Sequence, residues 1–443
     1  MKNGLPWFAF GACVCMLLLC LVYFGIQNDK SAKTSPSPSR IATQPDSSQS
    51  DPSPVAVPEP SAKALNHYHS SMALIGVIIL WNLLIPALFL FTGLSARIRS
   101  GAERLGRRWY ATFVLYCIAF GLLYYLVNLP LSYYAGFVYP HNYDMSNQTF
   151  GRWLGNYLKG GAVMMVMGLG VGWIPFLLIK KSPRRWWLYL GLLAAPLLCL
   201  QLLIRPVLID PLFNQFQPLQ DKALESKILA EAARTGIEGS RVYEVNMSVD
   251  TKGENAYVTG LLGVKRIVLW DTTLKNLDED EVLFIMGHEM GHYALDHIIQ
   301  LIAFESILIL ISLYAAYLLT GPVISRFKKS WGFSAPSDFA ALPLGILAVW
   351  IFALAVMPVY MAFSRHVEHE ADRFGLELTH NNHAAAMSFA KMQQNNLAIP
   401  RPGPIFQFWF GSHPTPAERI DFCNSYRPWE SGQASRYAGY IKP

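Results

Sequence analysis

The sequence predicts a mainly α-helical, polytopic membrane protein with a small α+β domain outside the bilayer. Three observations carry this expectation. Hydrophobic residues make up 52% of the 443-residue chain and charged residues only 15%, with a mean hydropathy of +0.26, a balance foreign to soluble domains. Seven mostly apolar stretches recur along the chain, each long enough to cross about 30 Å of hydrocarbon. Two hydrophilic blocks, 207–297 and 364–443, interrupt and follow that series and hold the chemically interesting residue types. The net charge of +6 sits in short clusters between apolar runs. That pattern orients membrane helices and argues against a nucleic-acid partner.

In chain order, the apolar run 6–27 follows a single early Lys2 and lacks a small-residue cleavage site. This favours a signal anchor or first transmembrane helix over 1–28, rather than a cleaved signal peptide. Residues 29–71, rich in Ser and Pro, read as a disordered linker. Spans at 72–94, 109–135, 160–180 and 186–206 make up a membrane segment over 72–206. Gly160, Gly161, Gly168, Gly170 and Gly172 suit one of these to close helix contact. The block 207–297 starts with an amphipathic helix over 221–236, where Leu224, Ile228, Leu229 and Ala232 share a face. Three short strands follow, at Arg241–Val249, Ala256–Gly260 and Lys265–Trp270. Spans at 298–320 and 338–363 form the second membrane segment, 298–363, and 364–443 completes the hydrophilic part. Cys13, Cys15, Cys20, Cys117 and Cys199 lie inside apolar spans and Cys423 stands alone, which implies neither a disulfide framework nor a cysteine metal site.

Basic residues set an orientation. Arg97, Arg99, Arg104, Arg107 and Arg108 lie between the second and third spans, and Lys180, Lys181, Arg184 and Arg185 between the fourth and fifth. Arg326, Lys328 and Lys329 lie between the sixth and seventh. With all three loops cytoplasmic, both hydrophilic blocks face the extracytoplasmic side.

The chemistry centres on Ile285-Met-Gly-His-Glu-Met-Gly-His-Tyr293. On a helix, His288 and His292 lie on one face about 6 Å apart between Cβ atoms. Two imidazoles so placed can hold one Zn²⁺, and Glu289 can reach a water on that metal and act as a general base. The acidic run Asp278–Glu281 complements the dipole at the start of this helix. A catalytic zinc needs a third protein ligand. The extended motif that would place a histidine at 298 fails, because Leu295 and Ile298 stand at the required positions. Glu305 lies about 20 Å further along the helix axis. In Ser364-Arg-His-Val-Glu-His-Glu-Ala-Asp372, Glu368 and Asp372 share a face, and Ala371 leaves room for another helix. Glu368 can ligate a metal, Asp372 can accept the outer ring N–H of a ligating histidine, and Glu370 points elsewhere. The same spacing also fits an acidic, solvated first turn of a helix leaving the membrane.

These blocks together resemble the integral-membrane CAAX prenyl protease family, type 1, the a-factor-converting and prelamin-processing zinc endopeptidases. The resemblance rests on His288-Glu-x-x-His292 and on Ser364-Arg-x-x-Glu368-x-x-Ala371-Asp372. Further blocks are Asn255-Ala-Tyr-x-x-Gly260, Lys265-Arg-Ile-Val268 and His413-Pro-x-x-x-Glu418-Arg419, with Leu131–Tyr134, Ser146–Phe150 and Pro211–Asn214. Met361 departs from the family pattern, which often has Asn there. The resemblance implies about seven helices forming a barrel around a chamber, and one Zn²⁺ per chain on His288, His292 and Glu368. Glu289 is then the base, Asp372 supports a ligand, and His413 donates to the oxyanion. Asn255, Ala256 and Tyr257 would line the cleft, with Arg419 also among the substrate-side residues and more in keeping with an internal ion pair. Expected partners are a peptide or protein substrate, lipidated or not, and the lipid bilayer. The chain is read as a monomeric, multi-pass membrane protein, in the cell membrane if the source is bacterial. Two other readings remain at this point: an HtpX-like quality-control protease, and a non-proteolytic chamber that binds lipidated peptides.

Overall fold

The hydrophobic series dictates the architecture. The structure, a computed structural model, describes residues 53–259 and 265–442; the expected anchor 1–28 and most of the linker lie outside them. Among the described residues, six helical stretches are long and apolar enough to cross a membrane: Ala62–Phe91, Trp109–Asn142, Phe150–Lys181, Ala194–Leu212, His297–Trp331 and Phe339–Thr379. Helix α1 (Ala62–Phe91) starts well before the expected residue 72, because Ser61 caps it by accepting the Ala64 N–H at 3.1 Å. Residues 62–71, expected in the linker, are therefore helical. After α2 (Leu94–Gly106), α3 (Trp109–Tyr133), α4 (Phe150–Val171) and α5 (Trp173–Lys181), the expected span at 186–206 divides into α6 (Trp186–Leu192) and α7 (Ala194–Ile204). Pro196 in the first turn of α7 has no N–H for the Leu192 carbonyl, which leaves one helical bond fewer across this break. The most apolar window of each crossing helix is at most 28% buried, and that of His297–Trp331 not at all. Most of their apolar surface is therefore left outside the helix–helix contacts, as suits lipid-facing segments.

The soluble domain is built on a four-stranded sheet in the order β1-β2-β4-β3. Its strands are β1 (Phe216–Pro218), β2 (Arg241–Val245), β3 (Ala256–Thr259) and β4 (Arg266–Trp270). β2 and β4 run parallel, and the other pairs run antiparallel. Helix α8 (Lys222–Arg234) covers it through Leu224, Ile228 and Ala232, the apolar face expected from their spacing. After α9 (Asp271–Asn276) comes α10 (Glu279–Ala294), which carries the histidine motif. Asp278 and Glu281 close a reciprocal capping box at its start. Glu281 is buried and is neutralised by Lys391 at 2.6 Å.

Helix α11 (His297–Trp331) leads away, and α12 (Leu342–Thr379) returns as one unbroken 38-residue helix from the membrane into the domain. It lies directly on α10. A Cβ at Gly291 would stand 2.9 Å from the Phe374 Cβ, and one at Gly375 3.0 Å from the His288 backbone nitrogen. Only glycine permits this approach. Around the seam, Phe284, Met286, Met290, Phe374 and Leu376 join Ile267, Leu269 and Ile420 in one core. Helices α13 (Asn382–Asn395), α14 (Pro404–Trp409) and α15 (Pro416–Ser425) complete the chain.

Two features fix the domain to the membrane helices. Asp250 receives Arg152 Nε and Nη2 at 2.6 and 2.7 Å, Gln148 Nε2 at 2.7 Å and Asn214 Nδ2 at 3.0 Å. These donors come from the 146–150 and 211–214 blocks and from the adjoining start of α4. The Asn424 amide exchanges two hydrogen bonds, both 2.9 Å, with the Val55 backbone just ahead of α1. From there α1 runs about 45 Å (30 residues at about 1.5 Å) away from the domain. At its far end Arg99 reaches Asp338 at 2.7 Å and the Gly332 carbonyl at 3.0 Å.

Gly291→Val tests the helix seam. Overpacking against Phe374 is expected to cost about 1–3 kcal/mol and to lower the thermal midpoint in detergent, whereas an unchanged midpoint contradicts the close contact.

Candidate metal centre

The i, i+4 spacing puts His288 and His292 on the face of α10 that meets α12, and Glu368 enters from α12. His288 Nε2 and His292 Nε2 are 3.1 Å apart. Glu368 Oε2 lies 3.4 Å from His288 Nε2, and Glu368 Oε1 3.5 Å from His292 Nε2. Tetrahedral bonds of about 2.0–2.2 Å put ligand atoms roughly 3.3 Å apart, and each of these three separations, two of them ending on different Glu368 oxygens, is of that size. Glu368 Oε2 is buried and has no hydrogen-bond partner; His413 Nε2 stands 3.2 Å from it. A lone pair left open between two imidazole nitrogens fits a divalent cation. Among the described residues, this is the group of three such side chains that converges within 4.8 Å.

Behind His288, Asp372 Oδ1 lies 2.9 Å from Nδ1. Both Asp372 oxygens are held by Arg419, through Nε at 2.9 Å and Nη2 at 2.5 Å. The guanidinium also rests on the Phe389 ring at 3.9 Å. Arg419, expected among substrate-side residues, is therefore committed to the internal ion pair. Glu289 Oε1 is 4.0 Å from His288 Nε2. Burial pushes its carboxyl up to about 7, where it can both accept and release a proton. Burial also opposes charge on His288, but the Asp372 and Glu368 carboxylates outweigh it and raise the imidazolium to about 10. For His292 burial dominates and lowers it to about 3. At neutral pH the pair therefore carries one positive charge, on His288.

His413 sits in the loop after α14, half exposed, with Ser412 Oγ 2.8 Å from Nδ1. Arg365 fixes that loop by donating from Nη1 to the Gln407 and Gly411 carbonyls at 2.8 and 2.7 Å. This explains the Arg of the Ser364-Arg365 pair. Asn255 precedes β3, and its carbonyl accepts the Trp270 N–H at 3.1 Å. Tyr257 pairs with Val268 in register. By antiparallel alternation, Ala256 and Val258 turn their backbone groups to the other side, which is the sheet edge. Glu305 is absent from the converging group, and Glu370 turns towards Tyr437 and Arg436. Sequence spacing missed His297, whose Nδ1 stands 3.1 Å from His292 Nδ1. Five residues along a helix do not share a face. Here Leu295 and Asp296 break the helix, with Asp296 left-handed at φ 55°, and fold His297 back.

Fold and site together define an integral-membrane metalloprotease. Residues 62–215 match the family described as CAAX prenyl protease N-terminal, five membrane helices, and residues 218–426 match Peptidase family M48. The chain belongs to this family of membrane peptidases. It is 37% identical to the uncharacterized metalloprotease YhfN of Bacillus subtilis (strain 168), over 83% of this chain and 86% of that protein. It is 30% identical to the CAAX prenyl protease 1 homolog of Dictyostelium discoideum, over 66% of this chain and 68% of that protein. The CAAX prenyl protease 1 of Saccharomyces cerevisiae is 27% identical, over 67% and 68%. The crystal structure of S. mikatae Ste24p superposes with a TM-score of 0.71 at 23% identity, covering 81% of this chain and 87% of that one. The fold, a helical membrane chamber with a small sheet-bearing domain, is shared.

Because the metal-free site holds a proton on His288 and part of one on Glu289 at pH 7, cation binding is expected to release about one to two protons. Calorimetry of Zn²⁺ binding in buffers of different ionisation enthalpy measures this number; a value of zero contradicts the assigned charge state.

Proposed function

We propose that the chain is a zinc endopeptidase whose single Zn²⁺ is held by His288, His292 and Glu368. The observation that carries this reading is the convergence of the two His Nε2 atoms, 3.1 Å apart, with the Glu368 carboxylate, whose two oxygens lie 3.4 and 3.5 Å from them, and with Glu289 beside the group. Bound there, Zn²⁺ supplies Lewis-acid chemistry, acidifying a water and polarising the scissile carbonyl. Glu289 takes the proton of the attacking water and returns it to the leaving amine. His413, at the open side of the site, donates to the developing oxyanion of the scissile carbonyl. Asp372, clamped by Arg419, holds His288 in one tautomer and one orientation. The open edge of β3 accepts an extended peptide through the Ala256 and Val258 backbone, with Asn255 and Tyr257 beside it.

The protease unit is then assembled from 207–297 and 364–443 on either side of two membrane helices, in a single chain acting alone. The arginine-rich α2 and the 332–338 turn lie together at the end of the helices away from this unit. The charge rule places that end in the cytoplasm and the active site on the extracytoplasmic side. The names of the CAAX prenyl protease relatives point to prenylated substrates, and a chamber walled by membrane helices would suit an apolar substituent.

Cleavage of a farnesylated CAAX peptide and its unprenylated twin tests the reading. Chelator-sensitive cutting is expected to favour the farnesylated peptide. Glu289→Gln is expected to lower kcat by about 10²–10⁴-fold with zinc retained. Equal cutting of both peptides would move the function to general membrane-protein turnover, and full activity in Glu289→Gln would overturn the mechanism.

A further inference from the structure

The two histidines of the site are supported differently. His288 turns Nδ1 to a carboxylate held by an arginine, but His292 turns Nδ1 to another imidazole, His297 Nδ1, at 3.1 Å. The rings meet nearly edge-on, with centroids 5.1 Å apart at 70°. Two imidazole nitrogens at that distance form a hydrogen bond only when one carries the proton and the other a lone pair. His292 Nε2 faces His288 and Glu368 and must keep its lone pair to act as a ligand. Its proton is then on Nδ1, and His297 Nδ1 is the acceptor. This leaves the His297 proton on Nε2.

His297 is wholly buried, and its Nε2 has no hydrogen-bond partner. It points at Glu370 Oε2, 3.8 Å away. The other oxygen of Glu370 receives the Tyr437 hydroxyl and Arg436 Nη2, both at 3.0 Å. His366 Nε2 also faces Oε2, at 3.7 Å from the exposed side. A buried imidazole with one unpaired nitrogen costs free energy, and a packing role alone would be met by an apolar side chain.

We infer that His297 is a positioning residue: it fixes the tautomer and ring orientation of His292 by accepting its Nδ1–H. The inference rests on His292 being a metal ligand. It makes the support of the two histidines unlike, His288 held by an Asp–Arg pair and His292 by a second imidazole. Outer partners of ligating histidines typically govern about 10–100-fold in metal affinity.

The test is Zn²⁺ affinity of the full-length protein in detergent, measured by chelator competition. His297→Ala is expected to weaken binding by about 10–100-fold. His297→Asn, whose side-chain oxygen can take the place of Nδ1 as acceptor, is expected to recover most of the loss. Equal weakening in His297→Asn and His297→Ala would assign His297 to packing, and wild-type affinity in His297→Ala would remove it from the site; either overturns the inference. His292→Ala separates the two readings, since zinc bound at wild-type affinity there would refute the ligand assignment itself. Should His297→Ala not fold, ¹⁵N-histidine spectra of the zinc-loaded wild type decide the matter. They must show His292 protonated on Nδ1 and His297 on Nε2, and the opposite tautomers would contradict it.

Discussion

The site depends on one contact, the glycine seam between α10 and α12. Neither helix has a catalytic site alone. The histidine pair comes from a helix that follows the sheet, and Glu368 and Asp372 come from a helix that rises out of the membrane. Gly291 against Phe374 and Gly375 against the His288 backbone let the two axes close until the ligand atoms stand about one coordination edge apart. The surrounding core of Phe284, Met290 and Phe374 makes that distance a property of packing rather than of any loop. A site on two packed helices is pre-organised, with little left to order when a metal or substrate arrives.

The electrostatics follow from the same burial. Carboxylates in a desolvated space must be paired, and each buried acid near the site has its own device. Asp372 has Arg419, and Glu281 has Lys391. Glu289 has no cation of its own, and its carboxyl rises to about 7. Glu368 keeps one oxygen without a hydrogen bond. Those two exceptions are the groups to which the proposed chemistry gives its roles, one as a base poised near neutrality and one as an open ligand. Away from the site, Asp250 with Arg152, Gln148 and Asn214 locks the domain onto the membrane helices. The chamber and the hydrolytic centre therefore keep a fixed relation.

Much of this was legible in the sequence, because the strongest signals there are periodicity and length. The membrane helices from 109 onward, three of the strands, the capped histidine helix and the Glu368–Asp372 face all follow from spacing. Local chemistry misled where it was weak. The first described helix starts at Ala62 because a single serine cap and a helical backbone outweigh a polar composition. The span around 193 divides into two helices, a break that hydropathy averaging does not register. β1 is three residues long and ends in proline, below any pattern's reach. His297 escaped notice because its position depends on one left-handed residue, Asp296. The motif groups Arg419 with substrate-side residues but is more in keeping with an internal ion pair for it, and its partner is Asp372, 47 positions upstream.

The central claim is that two helices, one from the soluble domain and one from the membrane, jointly hold one metal ion. Metal analysis of the purified wild type beside Glu368→Ala tests it most directly. The account predicts one zinc per wild-type chain and loss of that zinc from a Glu368→Ala protein that remains folded. Full retention of zinc in Glu368→Ala would show that the histidine helix binds the ion without its membrane-borne partner, and would contradict the account.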